Sequence, residues 1–428
     1  MLLILYKNAV RLLAPMIRLY LQERARRGKE DVLRAHERRG RAGRARPEGT
    51  LVWCHAASVG ESLSLLSVVE ELLRVRPDIH VLVTTGTVTS AGLMAKRLPA
   101  GAFHQYIPVD HPAWVERFLN HWRPDLVLWA ESELWPNMLS CLRDKKVPAL
   151  LLNARMSEKT YQRWRRFPGL SAQLLGTFQL CFAQNAQEAQ RLKDLGAPCV
   201  EVGCNLKYAA TPLPHDTTAL QKLKDQTQGR ALLLFASTHA GEEELAFQTH
   251  QKLMVTIPNL LTVVVPRHPS RAQDIMQIAS PLRRQLRSVA SDLLPETQVY
   301  IADTMGELGL FYRLCKIVVM GGSFADIGGH NPIEAAQCGA LIIFGPSRRN
   351  FVGICEDFKN SNGMIFIDSA EELGPLLQEA FTQPARFDLI AQSGYDWVSQ
   401  KSNIARDLVA QVASFLPKNS PDMNKEVA

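Results

Sequence analysis

The chain has 428 residues, with 49 Lys+Arg against 42 Asp+Glu and a formal net charge of +7. That length suits two or three domains with full apolar cores, and 46% hydrophobic with 21% charged residues excludes a disordered chain. The charge is uneven: residues 1–46 hold 13 basic and 4 acidic side chains, so this arm carries +9 and the other 382 residues sum to −2.

A basic arm on a near-neutral body points to an anionic partner, either a membrane surface or nucleic acid. The first 22 residues, MLLILYKNAVRLLAPMIRLYLQ, lack the uncharged core and small-residue site of a cleaved signal. Lys7, Arg11 and Arg18 interrupt any window long enough for a clean membrane span. At roughly 100° per residue these three and Gln22 share one narrow face, and Leu, Ile, Met and Tyr cover the rest. Such a helix lies in a membrane interface, snorkels from a tilted span, or packs on its own protein. Ten further basic residues from Arg24 to Arg46 follow it, and each is worth about 1 kcal/mol beside anionic lipid. Nucleic acid is not expected, since there is no zinc-finger spacing and no basic strand interleaved with aromatics.

Beyond residue 50 short apolar runs alternate with segments of helical period. The runs are 51–56, 80–87, 125–132, 149–155 and 199–204. Their near-continuous apolarity predicts parallel strands covered on both faces. Residues 208–230 are polar with two prolines and read as a linker. A second series follows at 231–238, 261–268, 298–303, 316–323, 340–346 and 363–368. The expected architecture is an arm (1–46), a doubly wound α/β domain (47–207), a linker (208–230), a second such domain (231–416) and a frayed tail (417–428). Ligands are then expected in a cleft at the carboxyl ends of the strands. The eight cysteines form no C-x-x-C and mostly sit in apolar runs, as buried free thiols do in a reducing compartment.

The first strand runs into Ala57-Ser58-Val59-Gly60-Glu61 and a helical pattern. Glu61 therefore stands at a helix start on the carboxyl edge of the sheet, where a base would meet substrate. Ser58-x-x-Glu61 is also a capping box, and a base cannot be wholly spent on a cap. DLVLWAES ends in Glu131, Ser132 and Glu133. If the extended pattern continues, one of the two carboxylates faces the cleft and the other caps or pairs. Lys207 follows another strand near the expected hinge, where a lysine is ordinarily solvated. In the second half, KIVVMGGSFADIGGHNPIEAAQCG reads strand, glycine-rich loop, helix. Asn331 suits the cap, Pro332 the first helical position and Glu334 the third, and the free N–H groups there suit a phosphate. The glycine spacing is not the dinucleotide fingerprint. Arg267 and His268 end a strand beside the same edge, and Met305-Gly306-Glu307 opens another loop there. There is no H-E-x-x-H, Walker loop or Asp-x-Asp, so no metal is expected.

Eight blocks in order carry a resemblance over nearly the whole chain: HAASVGE (55–61), ESELWPN (131–137), LNARMSEK (152–159), CNLKY (204–208), ASTHAGEEE (236–244), VPRHPSR (265–271), TMGEL (304–308) and GGHNPIEAA (328–336). Together they resemble the 3-deoxy-D-manno-octulosonic acid (Kdo) transferases of lipopolysaccharide biosynthesis. The resemblance implies an inverting GT-B glycosyltransferase with two Rossmann-like domains, no metal and no cofactor. It implies CMP-Kdo as donor and a phosphorylated lipid A precursor, lipid IVA, as acceptor, at the cytoplasmic side of the inner membrane. By that resemblance Glu61 is the general base and Glu131 and Lys207 stabilise the transition state. Arg267, His268, Met305, Gly306, Glu307, Asn331, Pro332, Ile333 and Glu334 would hold CMP. One departure is Cys204, where the family usually has glycine. A GT-B transferase with a different nucleotide-sugar donor is the alternative.

Overall fold

The computed structural model describes residues 2–417 apart from Ser132, Cys204, Ala210, Thr211 and Ser291. The chain forms two compact units, 1–210 with 402–428, and 211–401.

The first unit carries a seven-stranded, all-parallel sheet. Its strands are β1 (Leu51–His55), β2 (His80–Thr85), β3 (Ala102–Tyr106), β4 (Leu126–Ala130), β5 (Ala149–Ala154), β6 (Leu180–Ala183) and β7 (Val200–Val202), in the order β3-β2-β1-β4-β5-β6-β7. β1 registers with β2 on one side and β4 on the other, so the sequence order reverses at the β1/β4 boundary. Trp53, Phe118, Trp122, Trp129 and Phe178 are fully buried around it, the large aromatic surface that stabilises a sheet packed on both faces.

The second unit repeats the plan with β8 (Ala231–Thr238), β9 (Leu260–Pro266), β10 (Arg284–Leu286), β11 (Val299–Ile301), β12 (Ile317–Met320), β13 (Leu341–Phe344) and β14 (Ile365–Phe366). Their order is β10-β11-β9-β8-β12-β13-β14, again all parallel. Here the order reverses between β8 and β12. Its core is aliphatic, with Leu233, Val264, Ile343 and Leu377 buried beside Phe235 and Phe387.

Three features differ from the sequence reading. The segment 208–230 holds a helix, Thr217–Gln226, capped by Asp216, whose carboxylate accepts from Thr218 and Ala219 N–H. Residues 402–417 fall with the first unit, where helix Ile404–Val412 packs on α3 (Val59–Val75). Cys199 is exposed, whereas Cys54, Cys181, Cys315 and Cys355 are buried; the seven described cysteines are unbridged.

The amino-terminal arm also departs from a single amphipathic helix. It forms α1 (Leu2–Leu12) and α2 (Ala14–Arg26), neither with a buried residue. Leu2, Ile4, Leu5, Leu12, Leu13, Met16, Leu19 and Tyr20 are all exposed. Much of the arginine that follows is held in ion pairs within the arm, while Arg34, Arg38 and Arg46 also bond His104 O, Ile107 O and Asp125 of the body. Arg24 and Arg38 pair with buried Glu30, Arg34 with buried Glu37, and Arg46 with Asp125. No helix among the described residues is long and apolar enough to cross a membrane.

Candidate functional site

In the first unit the candidate residues gather at the carboxyl ends of the two strands that flank the order reversal. β1 is followed by Ser58, the N-cap of α3. Its hydroxyl accepts from Glu61 N–H at 3.3 Å and donates to Glu61 Oε1 at 2.7 Å. Ala57 N–H donates to Glu61 Oε2 at 2.8 Å. Both oxygens of Glu61 therefore take part in the cap. A carboxylate has about four lone-pair sites, so two remain outside it.

β4 runs into Glu131, whose φ of 57° is left-handed, an uncommon backbone for a non-glycine residue. Its N–H still bonds Leu152 O on β5 at 2.9 Å, so the chain leaves the sheet immediately after that bond. The extended pattern thus stops at Glu131, and it is this turn, with Glu133 accepting from Trp135, that separates the two carboxylates. Burial raises the Glu131 pKa, with Glu61 and Glu133 adding to the rise; Lys207 and Arg155 oppose it. For Lys207 burial lowers the pKa and the Glu131 and Glu61 carboxylates oppose that. Glu61, Glu131 and Lys207 thus form one electrostatic cluster. Lys207 lies in the turn Leu206–Ala209, held by Asn153 Oδ1, which accepts from Leu206 N–H at 3.0 Å. Cys204 lies outside the described residues.

Three neighbours complete the cluster, of which Arg155 and His55 were not singled out from the sequence and Glu133 was the carboxylate expected to cap or pair if Glu131 faced the cleft. Arg155, at the end of β5, acts on both Glu131 and Lys207. Glu133 accepts from Trp135 Nε1 at 3.0 Å, and its backbone carbonyl accepts from Trp129 Nε1 at 2.9 Å, so two indoles fasten this loop. His55 is fully buried, hydrogen-bonded through Nδ1 to Thr84 Oγ1 at 2.9 Å, with Nε2 3.9 Å from Glu133 Oε2. All three sit in motif blocks, but only strand order brings them together.

In the second unit the candidates again follow strands at the carboxyl edge. Arg267 and His268 are exposed at the end of β9. Met305 is exposed and Gly306 has φ 86°. The carboxylate of Glu307, however, forms a bidentate ion pair with Arg287 at 2.6 and 2.5 Å and accepts from Thr304 Oγ1. The Arg287 guanidinium lowers the Glu307 pKa, so any ligand contact from this turn falls to its backbone and to Met305. The helix expected after Asn331 is only four residues, Ile333–Ala336, capped at Pro332. Its dipole is correspondingly small. Asn331 Oδ1 instead accepts from Ile333 N–H at 3.2 Å and its amide donates to Glu334 Oε1 at 3.2 Å. Burial raises the Glu334 pKa.

What fixes the glycine-rich loop is Glu242, a buried residue that spacing did not single out. Its carboxylate accepts from the N–H groups of His239, Gly322, Phe324 and Ala325 at 2.8–3.2 Å. A Cβ at Gly321 would lie 2.2 Å from Ser237 O, so β8 and the loop meet as only glycine permits. Among the described residues no group of three or more His, Cys, Asp or Glu is arranged to hold a metal ion.

Residues 33–210 match the family model described as 3-deoxy-D-manno-octulosonic-acid transferase (kdotransferase). The 3-deoxy-D-manno-octulosonic acid transferase of Rickettsia bellii is 34% identical over 394 residues, covering 91% of this chain and 94% of that protein. The chain belongs to the Kdo transferase family. A probable mitochondrial Kdo transferase of Arabidopsis thaliana is likewise 34% identical, over 84% of this chain and 83% of its own. The UDP-GlcNAc 2-epimerase of Neisseria meningitidis, solved with UDP-GlcNAc, has a TM-score of 0.57 at 14% identity, covering 85% of this chain and 100% of that one. That likeness concerns the fold, two parallel-sheet α/β domains of GT-B type. As a Kdo transferase the protein is a glycosyltransferase, acting in lipopolysaccharide core biosynthesis.

Proposed function

We propose that this Kdo transferase moves Kdo from CMP-Kdo to a phosphorylated glucosamine-disaccharide glycolipid, the lipid A precursor lipid IVA, with inversion. Glu61 is the general base and takes the acceptor's hydroxyl proton, a role typically worth about 10²–10⁴ in rate. The acceptor oxygen attacks the anomeric carbon from the face opposite CMP. The bond from that carbon to the phosphate oxygen breaks, and its electron pair leaves with CMP. Glu131 faces the positive character that grows on the sugar, and Lys207 holds Glu131 ionised. Arg267, His268, the Met305–Glu307 turn and Asn331–Glu334 hold CMP, and one well-placed donor to a developing anion is worth about 2.7–4 kcal/mol. Protein groups alone meet the charge in this reading.

The observation that carries the reading is the Glu61–Glu131–Lys207 cluster at the β1/β4 order reversal, where open α/β sheets bind ligands. The exposed apolar faces of α1 and α2, with Lys7, Arg11 and Arg18, support docking on an anionic membrane surface at the cytoplasmic side of the inner membrane. The test combines protein, CMP-Kdo generated in place and tetra-acylated lipid A precursor, with products read by mass spectrometry. Wild type adds Kdo and Glu61→Gln does not, while CMP still raises the melting temperature of both. Product from a UDP-sugar instead of CMP-Kdo would replace the donor.

A further inference from the structure

The Nε2 atoms of His239 and His330 stand 2.8 Å apart, their rings within 4° of parallel. His239 follows β8 and His330 ends the loop that follows β12, so the pair bridges the order reversal of the second sheet, the position where such sheets take ligands. Two neutral imidazoles at this distance share one N–H, one ring donating and the other accepting. In the neutral pair only the accepting ring's outer nitrogen carries a proton; one further proton keeps that bond and makes both outer nitrogens donors.

The surroundings favour an anion as the group that brings that proton. His268 lies with its ring centroid 6.0 Å from that of His239, and Arg267 and His268 both act on His239 and His330. The acids nearby are Glu242 and Glu243. Glu242 is occupied by four backbone N–H groups. Glu243 is occupied by Arg271 at 2.7 and 3.2 Å and by Thr238 Oγ1 at 2.8 Å. Burial, the partner ring, Arg267 and His268 push His330 down to about 4, and burial lowers His239, with Glu242 and Glu243 opposing. Both shifts favour the neutral rings.

We infer that the His239–His330 pair binds the phosphate of the donor nucleotide and takes up one proton as it does so. The protonated pair gives the phosphate charge-assisted hydrogen bonds, which strengthen as negative charge builds on the departing oxygen. The inference rests on the CMP-Kdo reading and adds two residues to it that neither the motifs' assigned roles nor the short helix at Ile333 supplies.

Calorimetry of CMP binding at pH 7.5, in three buffers of different ionisation enthalpy, tests it. Wild type takes up close to one proton per CMP; cytidine, which lacks the phosphate, takes up none. His330→Gln and His239→Gln, each checked by its melting curve, bind CMP at least tenfold more weakly and lose the uptake. CMP binding without linked protonation in wild type overturns the inference and leaves the donor reading standing, as does full uptake retained by both folded variants. If CMP does not bind at all, the donor reading itself falls, and the inference with it.

Discussion

Ser58 and Glu61 hold each other at the end of the strand that leads to them: the serine hydroxyl donates to the carboxylate at 2.7 Å while the glutamate N–H points back to the hydroxyl at 3.3 Å. One glutamate thus secures the start of its helix and keeps the unused half of its carboxylate at a set orientation. The two roles that the sequence set against each other share one residue. Ser58→Ala should cost about 1 kcal/mol of stability through the lost cap. It should also lower kcat about tenfold with little change in KM, since the base loses its orientation. Ser58→Thr should recover both. Paired melting curves and steady-state rates check this; an unchanged kcat in a destabilised Ser58→Ala protein would leave the cap a purely structural device.

Lys207 opposes the burial that raises the Glu131 pKa. Lys207→Met removes that opposition, so Glu131 should hold its proton to higher pH. The acidic limb of the kcat profile should then move to higher pH, beyond an overall loss of rate. Lys207→Arg should move the limb less. A limb at the wild-type position in Lys207→Met would separate the two residues.

His104 accepts from Arg34 through Nδ1 at 3.1 Å and faces Thr85 Oγ1 through Nε2 at 2.9 Å, an arrangement only the neutral ring can make. Burial first, then Arg34, lowers its pKa to about 3, and burial lowers His250 to about 4. Both folded values lie below the unfolded one, so the unfolded chain binds these protons first. The stability they protect is complete above about pH 6.5 and is lost as pH falls towards 4 and 3, each group contributing up to about 1.4 kcal/mol per pH unit. Melting temperatures between pH 7.5 and 5 should fall, and fall less in His104→Gln. Identical slopes would remove His104 from the account.

Helix Ile404–Val412 buries Leu408, Val409 and Val412 and packs on α3 and on the Leu206–Ala209 turn, the elements that carry Glu61 and Lys207. Leu408→Ala should cost roughly 2–5 kcal/mol and lower kcat through the loosened base. Chemical denaturation, followed by tryptophan fluorescence from the core of the first unit, reads the stability. Loss confined to the second unit would contradict the packing.

The strands at 51–56, 125–132 and 231–238 were legible because burial on both faces writes them as unbroken apolar runs. β3 was not, since partly buried His104 and buried Gln105 interrupt it with polar groups. The His104 ring bonds Thr85 and Arg34, and Gln105 Oε1 accepts from the Trp122 indole, partners distant in sequence. β10, Arg284–Leu286, has one apolar residue in three and so leaves no apolar run. Thr217–Gln226 did leave a signal, Asp216 before Leu220 and Leu223, hidden by the prolines ahead of it. Glu61 and the second unit's loop segments could be picked out as strand-end residues. Arg155, His55, Glu242 and the His239–His330 pair could not, because their neighbours are set by which strands lie side by side.

The chain passes between its two units twice, at 210–211 and again at 401–402. During synthesis the ribosome releases the first 210 residues well before the helix that completes their unit. The first unit therefore waits, without the helix that packs on α3, until the second unit has been made. A chain cut at the 401–402 crossing would leave the helix that carries Glu61 without its packing partner.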